Sequence, residues 1–153
     1  MPCFHPLAAW RQPGGEITFH DKGSGRPIKL PCGQCSGCRL KRSHDWALRC
    51  IHEASLHSSN CFITLTYNDD NLPFNGSLNK SDFQGFIKRL RDREKPNKIR
   101  FYQAGEYGDK NNRPHHHAIL FNYMPDDLVD SGGGIFFSPY LEKVWGKGFV
   151  NLW

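Results

Sequence analysis

Hydrophobic and polar residues change period several times along the chain, and each change marks an element. Residues 61–67 are dense in β-branched and aromatic side chains and stop at the turn formers Asn68, Asp69, Asp70 and Asn71, which predicts a strand. Phe83, Phe86, Ile87 and Leu90 then recur at i, i+3, i+4 and i+7, the single apolar stripe of a helix. Ser81 with Gln84 has the form of a capping box at its start, and Pro96 closes it. Two strand-like runs follow, residues 99–107 and 115–122, joined by a polar loop with Gly108, Asn111, Asn112 and Pro114. Beyond Gly132, Gly133 and Gly134, a flexible loop, Ser138 and Pro139 read as the cap and first turn of a short helix through Trp145. Gly146 and Gly148 end that helix, and residues 149–153 read as a last strand. Upstream, residues 40–57 have helical character, whereas the Gly-, Pro- and charge-rich residues 11–31 read as irregular or as an edge hairpin.

The order strand, helix, strand, strand, helix, strand predicts an α+β fold of the split βαβ type, ferredoxin-like or RRM-like. An antiparallel sheet is then covered by helices on one face. Residues 1–58 form an extension before the core at residues 59–153. This arrangement serves RNA-recognition modules, ferredoxins and nucleases alike, so it does not decide function.

Composition narrows the field. At 153 residues, with 38% hydrophobic and 13% aromatic residues, the chain fills one compact domain and is no disordered tail. No apolar run approaches the roughly 18–20 residues of a membrane span, and the amino terminus lacks the basic lead and apolar stretch of a secretory signal. A cytoplasmic protein with no membrane partner is expected, and its six cysteines favour reduced thiols or metal ligation over disulfides. The net charge is +5, and residues 80–100 alone hold eight Lys and Arg against three Asp and Glu. Lys88, Arg89, Arg91 and Arg93 are therefore candidate contacts to a nucleic-acid backbone, although a solvated helix face has the same composition.

The most informative stretch is Arg113-Pro114-His115-His116-His117-Ala118-Ile119-Leu120-Phe121. Alternate residues of a strand share a face, so His115 and His117 point together, about 7 Å apart along the strand, while His116 points away. If the preceding strand pairs as a hairpin, Glu106 falls opposite His115 or His117 and joins them. Two imidazoles and a carboxylate suit a divalent transition metal and leave positions open for substrate oxygens.

A second donor set has knuckle spacing. Cys32, Cys35 and Cys38 are separated by two residues each, with Gly33 and Gly37 permitting tight turns. Zinc takes four N or S ligands, and Cys3 is the best fourth, with His5 behind it. Cys50 and Cys61 read as small buried hydrophobes. A structural Zn²⁺ held by Cys3, Cys32, Cys35 and Cys38 would pin the amino-terminal extension.

His115-His116-His117 before an apolar strand resembles the HUH motif of rolling-circle replication initiators, and the strand at residues 62–67 resembles that family's first motif. Pro31-Cys32-Gly33-Gln34-Cys35, Gly105-Glu106-Tyr107-Gly108 and Arg113-Pro114-His115 resemble more closely the initiators of small single-stranded DNA bacteriophages, the gokushovirus-type microviruses. The resemblance implies a metal-dependent endonuclease in which Glu106, His115 and His117 hold Mg²⁺ or Mn²⁺. It also implies a tyrosine that attacks single-stranded origin DNA in the bacterial host cytoplasm to leave a 5′-phosphotyrosyl adduct, with host replication proteins as further partners. In that family the nucleophile lies in a Tyr-x-x-Lys pattern on a helix after the last strand. Tyr140-Leu141-Glu142-Lys143 matches the letters but precedes that strand, so the attacking tyrosine is expected beyond Trp153, with Tyr140 as the weaker candidate. The rival class is a non-enzymatic, zinc-stabilised single-strand binder, which needs exposed aromatics on the sheet face where Glu106 and the histidines are expected; Trp10, Trp46, Tyr67 and Tyr102 have rings that suit base stacking, although core or surface packing uses such rings more often.

Overall fold

The stretch at residues 11–31, expected to be irregular or a hairpin, belongs to a small sheet in the computed structural model, which describes residues 3–153. β1 (Leu7–Arg11) is central, with β2 (Ile17–Thr18) and β3 (Arg26–Leu30) antiparallel on either side. The turn between β1 and β2 is fixed by Gln12 and Glu16, whose backbone groups bond at 2.8 Å, with Gly15 taking the positive φ the turn requires. The chain then passes Cys32 and Cys35 into α1 (Ser36–Ala54). Of residues 3–49 only Ala9 and Gly37 are buried. Phe4, Leu7, Ile17, Phe19 and Leu40 are all at least 41% exposed, so apolar burial is too small here to fix the fold alone.

Two compact units divide inside α1, as Met1–Arg49 and Cys50–Trp153, rather than at residue 58. The last residues of α1 thus belong to the second unit and are bonded within it. The Ala54 carbonyl accepts from Asn60 Nδ2 at 3.1 Å, and Glu53 pairs with His57 at 2.9 Å and with Arg100 at 3.0 Å.

The second unit has the expected order: β4 (Asn60–Thr66), α2 (Lys80–Arg93), β5 (Arg100–Tyr107), β6 (Pro114–Phe121), α3 (Pro139–Trp145) and β9 (Val150–Leu152). Two short strands, β7 (Val129–Asp130) and β8 (Phe136–Phe137), extend the sheet from the segment before α3. The strands lie β5-β6-β4-β9-β8-β7, every neighbouring pair antiparallel. The first four places are those of the split βαβ fold, with β4 and β6 in the interior.

Alternation along β6 separates core from site. Pro114, His116, Ala118 and Leu120 are buried, whereas His115, His117 and Ile119 are half-buried on the other face. The buried face meets Phe83, Phe86, Ile87 and Leu90 of α2 and Leu141, Val144 and Trp145 of α3. Phe86 and Trp145 meet edge-on at 6.0 Å between the two helices. Each such large apolar side chain contributes about 1.5–3 kcal/mol when fully buried.

The helix ends are built from local chemistry. The cap of α2 is Asn79, whose Oδ1 accepts the Ser81 N–H at 3.1 Å, so the expected capping box at Ser81 is displaced by two residues. Ser138 caps α3 as expected, its Oγ accepting from Leu141 N–H at 3.0 Å, and Gly146 closes it in the left-handed region. Gly105 is needed for another reason: a Cβ there would lie 2.8 Å from Leu78 Cδ1, so the glycine lets the loop before α2 cross β5 closely.

Candidate functional site

β5 and β6 pair with Glu106 opposite His115 and Ala104 opposite His117. Directly opposed residues share a face, so Glu106 stands beside both imidazoles. Its Oε2 lies 3.8 Å from His115 Nε2 and 3.1 Å from His117 Nε2, and the rings stand perpendicular with centroids 4.8 Å apart. One donor atom from each of the three residues falls within 4.8 Å of the others.

The outer nitrogens of the two rings are engaged. His115 Nδ1 lies 3.1 Å from the Arg113 carbonyl, which can only accept, so Nδ1 carries a proton and Nε2 is the nitrogen turned toward Glu106. His117 Nδ1 lies 3.0 Å from Thr64 Oγ1 on β4, directly across the strand pair. Such outer partners set the tautomer and aim of a metal-binding imidazole. Burial, and then the neighbouring His115, lower the pKa of His117 against the pull of Glu106. Thr64 is the site residue that sequence reasoning misses. Its signal lies in the alternation of β4, which puts Thr64 on the face opposite the core residues Ile63 and Leu65.

His116 faces the core and is no mere filler. Its Nε2 lies 3.2 Å from Tyr67 Oη and its Nδ1 3.2 Å from Gln103 Nε2. Tyr67 Oη also donates to Asp82 at 3.0 Å, and Asp82 pairs with Lys147 at 3.2 Å. Burial lowers the His116 pKa, so this network uses the neutral ring.

Four of the chain's five tyrosines are turned away from the triad. Tyr67 and Tyr123 are buried. Tyr107 alternates onto the helix side, where its hydroxyl accepts the Leu78 N–H at 3.0 Å. Tyr140, the weaker nucleophile candidate, packs against the core beneath the sheet, on the side opposite the triad, and donates to Glu94 at 2.7 Å. Burial and Glu94 raise its pKa, the wrong direction for an attacking phenolate. Tyr102 shares the triad's face but lies two residues along β5 from Ala104.

That face also carries Phe62, which is 37% exposed and stacks on the His117 ring at 5.5 Å and 19°. Exposed aromatic surface and metal ligands, expected to be alternatives, therefore occupy one face. Of the other stacking candidates, Tyr67 is buried, while Trp46 is 41% exposed and lies in the first unit.

The expected backbone contacts of α2 are used differently. Arg89 donates to the carbonyls of Val144 and Trp145, both at 3.0 Å, and closes the end of α3. Arg91 donates twice to the Ile99 carbonyl, at 2.9 and 2.7 Å. Lys88 and Arg93 are exposed, but α2 lies on the helix side of the sheet, away from Glu106, His115 and His117.

The first unit holds a second donor set. Cys3, Cys32, Cys35 and Cys38 bring their sulfurs within 4.8 Å of one another, while His5 is exposed and outside the set. Tetrahedral zinc with bonds of about 2.3 Å separates its sulfurs by about 3.8 Å, and Cys35 Sγ lies 3.8 Å from Cys3 Sγ. Backbone N–H groups of Cys32, Cys35 and Phe4 point at the sulfurs of Cys3, Cys32 and Cys35 at 3.3–3.4 Å. The N–H of Phe4, followed by that of Cys38, brings the Cys35 thiol down to about 6. Although a backbone bond from Gly33 favours its thiolate, burial and the neighbouring thiols push Cys38 up to about 12. Four sulfurs this close ionise together only around a cation, and the set can hold a metal such as zinc.

The split βαβ sheet carries this paired-histidine and carboxylate cluster on its open face, and comparison with known proteins gives the family. Residues 60–153 match the family Replication-associated protein ORF2/G2P, and the chain belongs to it. It is 32% identical over 167 residues to replication-associated protein VP4 of Bdellovibrio phage phiMH2K, covering 99% of this chain and 53% of that protein. It is 33% identical over 178 residues to replication-associated protein ORF2 of Spiroplasma virus 4, covering 99% and 56%. With replication-associated protein ORF4 of Chlamydia phage 1 it shares 38% over 135 residues, covering 80% and 34%. The chain thus spans about half the length of the first two relatives. No solved structure matches it significantly. Among the described residues no helix is long and apolar enough to cross a membrane.

Proposed function

We propose that this chain carries the metal-binding core of a rolling-circle replication initiator, which nicks single-stranded DNA at a phage origin. The observation that carries the reading is the convergence of Glu106, His115 and His117 on one point of the open sheet face, with both outer ring nitrogens already engaged. Glu106, His115 and His117 would hold Mg²⁺ or Mn²⁺. A divalent cation there supplies polarisation of a phosphodiester oxygen and stabilises charge on the departing 3′-oxygen. Thr64 and the Arg113 carbonyl keep the imidazoles aimed, and Phe62 offers a stacking surface beside His117 for a base next to the cut. The attacking tyrosine is sought outside these five. A structural Zn²⁺ on the four cysteines belongs to the same reading.

Calorimetric titration with Mn²⁺ tests the site, and a denaturing gel tests the chemistry. One Mn²⁺ should bind per chain, and His115→Ala/His117→Ala should abolish that binding. With Mn²⁺ and an origin oligonucleotide, the full reading frame should form a covalent adduct that His117→Ala removes. An adduct made by the 153-residue chain and lost in Tyr140→Phe or Tyr102→Phe would overturn the assignment of the nucleophile. Undiminished Mn²⁺ binding in the double variant would overturn the site.

A further inference from the structure

The whole net charge of the protein resides in its smaller unit. Residues 1–49 hold eight Lys and Arg against three Asp and Glu, whereas residues 50–153 hold twelve of each. Four thiolates around a zinc ion would lower the first unit from +5 to +3 and leave the contrast intact. Three of these five excess charges lie along the first unit's part of α1, where Arg39, Lys41, Arg42 and Arg49 stand against one acid, Asp45, which Lys41 pairs at 2.9 Å.

Spacing turns these charges into a surface. Arg39, Arg42, Trp46 and Arg49 stand at i, i+3, i+7 and i+10, one stripe of the helix about 15 Å long, and all four are exposed. The Arg49 guanidinium lies over the Trp46 ring, 4.9 Å from its centre. Arg42 reaches the Gly33 carbonyl at 3.3 Å, so the stripe is tied to the cysteine loop. Between loop and helix runs a cleft of about 300 Å³, lined by Pro31, Gly33, Cys38, Arg42, Trp46 and Arg49 among others. Cations spaced along a groove with an aromatic ring among them fit a chain of phosphates bearing unpaired bases.

We propose that the Arg39–Arg42–Trp46–Arg49 stripe of α1 is a single-stranded DNA binding surface, separate from the metal triad and held in shape by the four-cysteine centre. The choice of DNA rests on the replication-initiator reading. The stripe provides phosphate contacts by its arginines and base stacking by Trp46.

The test is fluorescence anisotropy with the zinc-loaded 153-residue chain and a labelled single-stranded oligothymidylate of about 20 nucleotides, without Mn²⁺, so that binding does not depend on the triad. Arg39→Glu/Arg49→Glu should weaken binding at least tenfold, and Trp46→Ala about tenfold. Arg39→Gln/Arg49→Gln should flatten the dependence of log K on log salt by about 1.4, two contacts at about 0.7 each. Zinc content and melting temperature identify the folded variants; should charge reversal unfold the unit, the glutamine pair carries the test. Lys88→Glu/Arg93→Glu in α2, an equal change of charge, should alter affinity less than twofold. An equal loss from the α2 variant, unchanged binding in folded stripe variants, or no binding by the wild-type chain would each overturn the proposal. Any of these leaves the Mn²⁺ titration, and with it the nuclease reading, to be judged separately. Tighter binding to an oligouridylate than to the oligothymidylate would overturn the choice of DNA.

Discussion

The two units solve the problem of holding a shape by different means. The second has a continuous core of buried side chains between one sheet face and two helices, and its charges cancel. The first buries almost nothing apolar, carries the entire net charge and gathers four sulfurs at the start of its helix. A segment that presents cations and aromatics to solvent cannot also bury them, so its cohesion must come from elsewhere. Metal–thiolate bonds are worth about 10–16 kcal/mol in small zinc-held peptides, and a metal on the four cysteines would supply what buried area does not.

Cys35→Ser should drop bound zinc from one ion per chain to none and erase hydrogen-exchange protection in residues 7–30. Protection in β4 and β6 should persist, and its loss would show that the second unit depends on the metal. Phe86→Ala is the mirror experiment. It removes a fully buried ring between α2 and α3 and should cost about 3–5 kcal/mol of unfolding free energy in denaturant titration, with zinc content unchanged.

A smaller effect sharpens the role of outer partners. Thr64→Val keeps shape but removes the oxygen at His117 Nδ1, and should weaken Mn²⁺ binding about 10–100-fold in calorimetry. The smallest concerns pH. His116 has a folded pKa below its ordinary 6.5 because burial disfavours the charged ring. The unfolded chain therefore takes up a proton near 6.5 that the folded chain refuses, and stability falls as pH drops below that value. His116→Leu should make this fall shallower in urea titrations on the acid side of 6.5; an unchanged slope would remove His116 from the account.

Much of the second unit is legible because its rules are local. Period-two alternation in residues 114–121 and the Phe83–Leu90 stripe state which side is inside, and hairpin spacing carries Glu106 to the histidines. Legibility ends where one polar group answers another across the fold. Thr64 and His117 are fifty-three positions apart, and only strand pairing reveals their partnership. Arg89 and Arg91 read as solvent-facing cations because nothing in their neighbourhood of sequence marks Val144, Trp145 or Ile99 as acceptors. Asn79 outranks Ser81 as cap because both are good cap residues and the chain's extended entry falls at Asn79. The first unit is hardest, since exposed short strands leave little hydrophobic alternation to read.

One consequence lies in β6, whose two faces carry unrelated messages. Its even-numbered residues are needed by the core and its odd-numbered ones by the open face, so inserting or deleting one residue upstream within the strand exchanges the two sets. His116 would then emerge where His115 and His117 now stand, and two imidazoles would be driven among Phe83, Tyr67 and Trp145. Over evolution such a strand can change its letters one at a time but not its length. Natural insertions among relatives should therefore accumulate in the loops on either side of residues 114–121 and leave that interval uninterrupted.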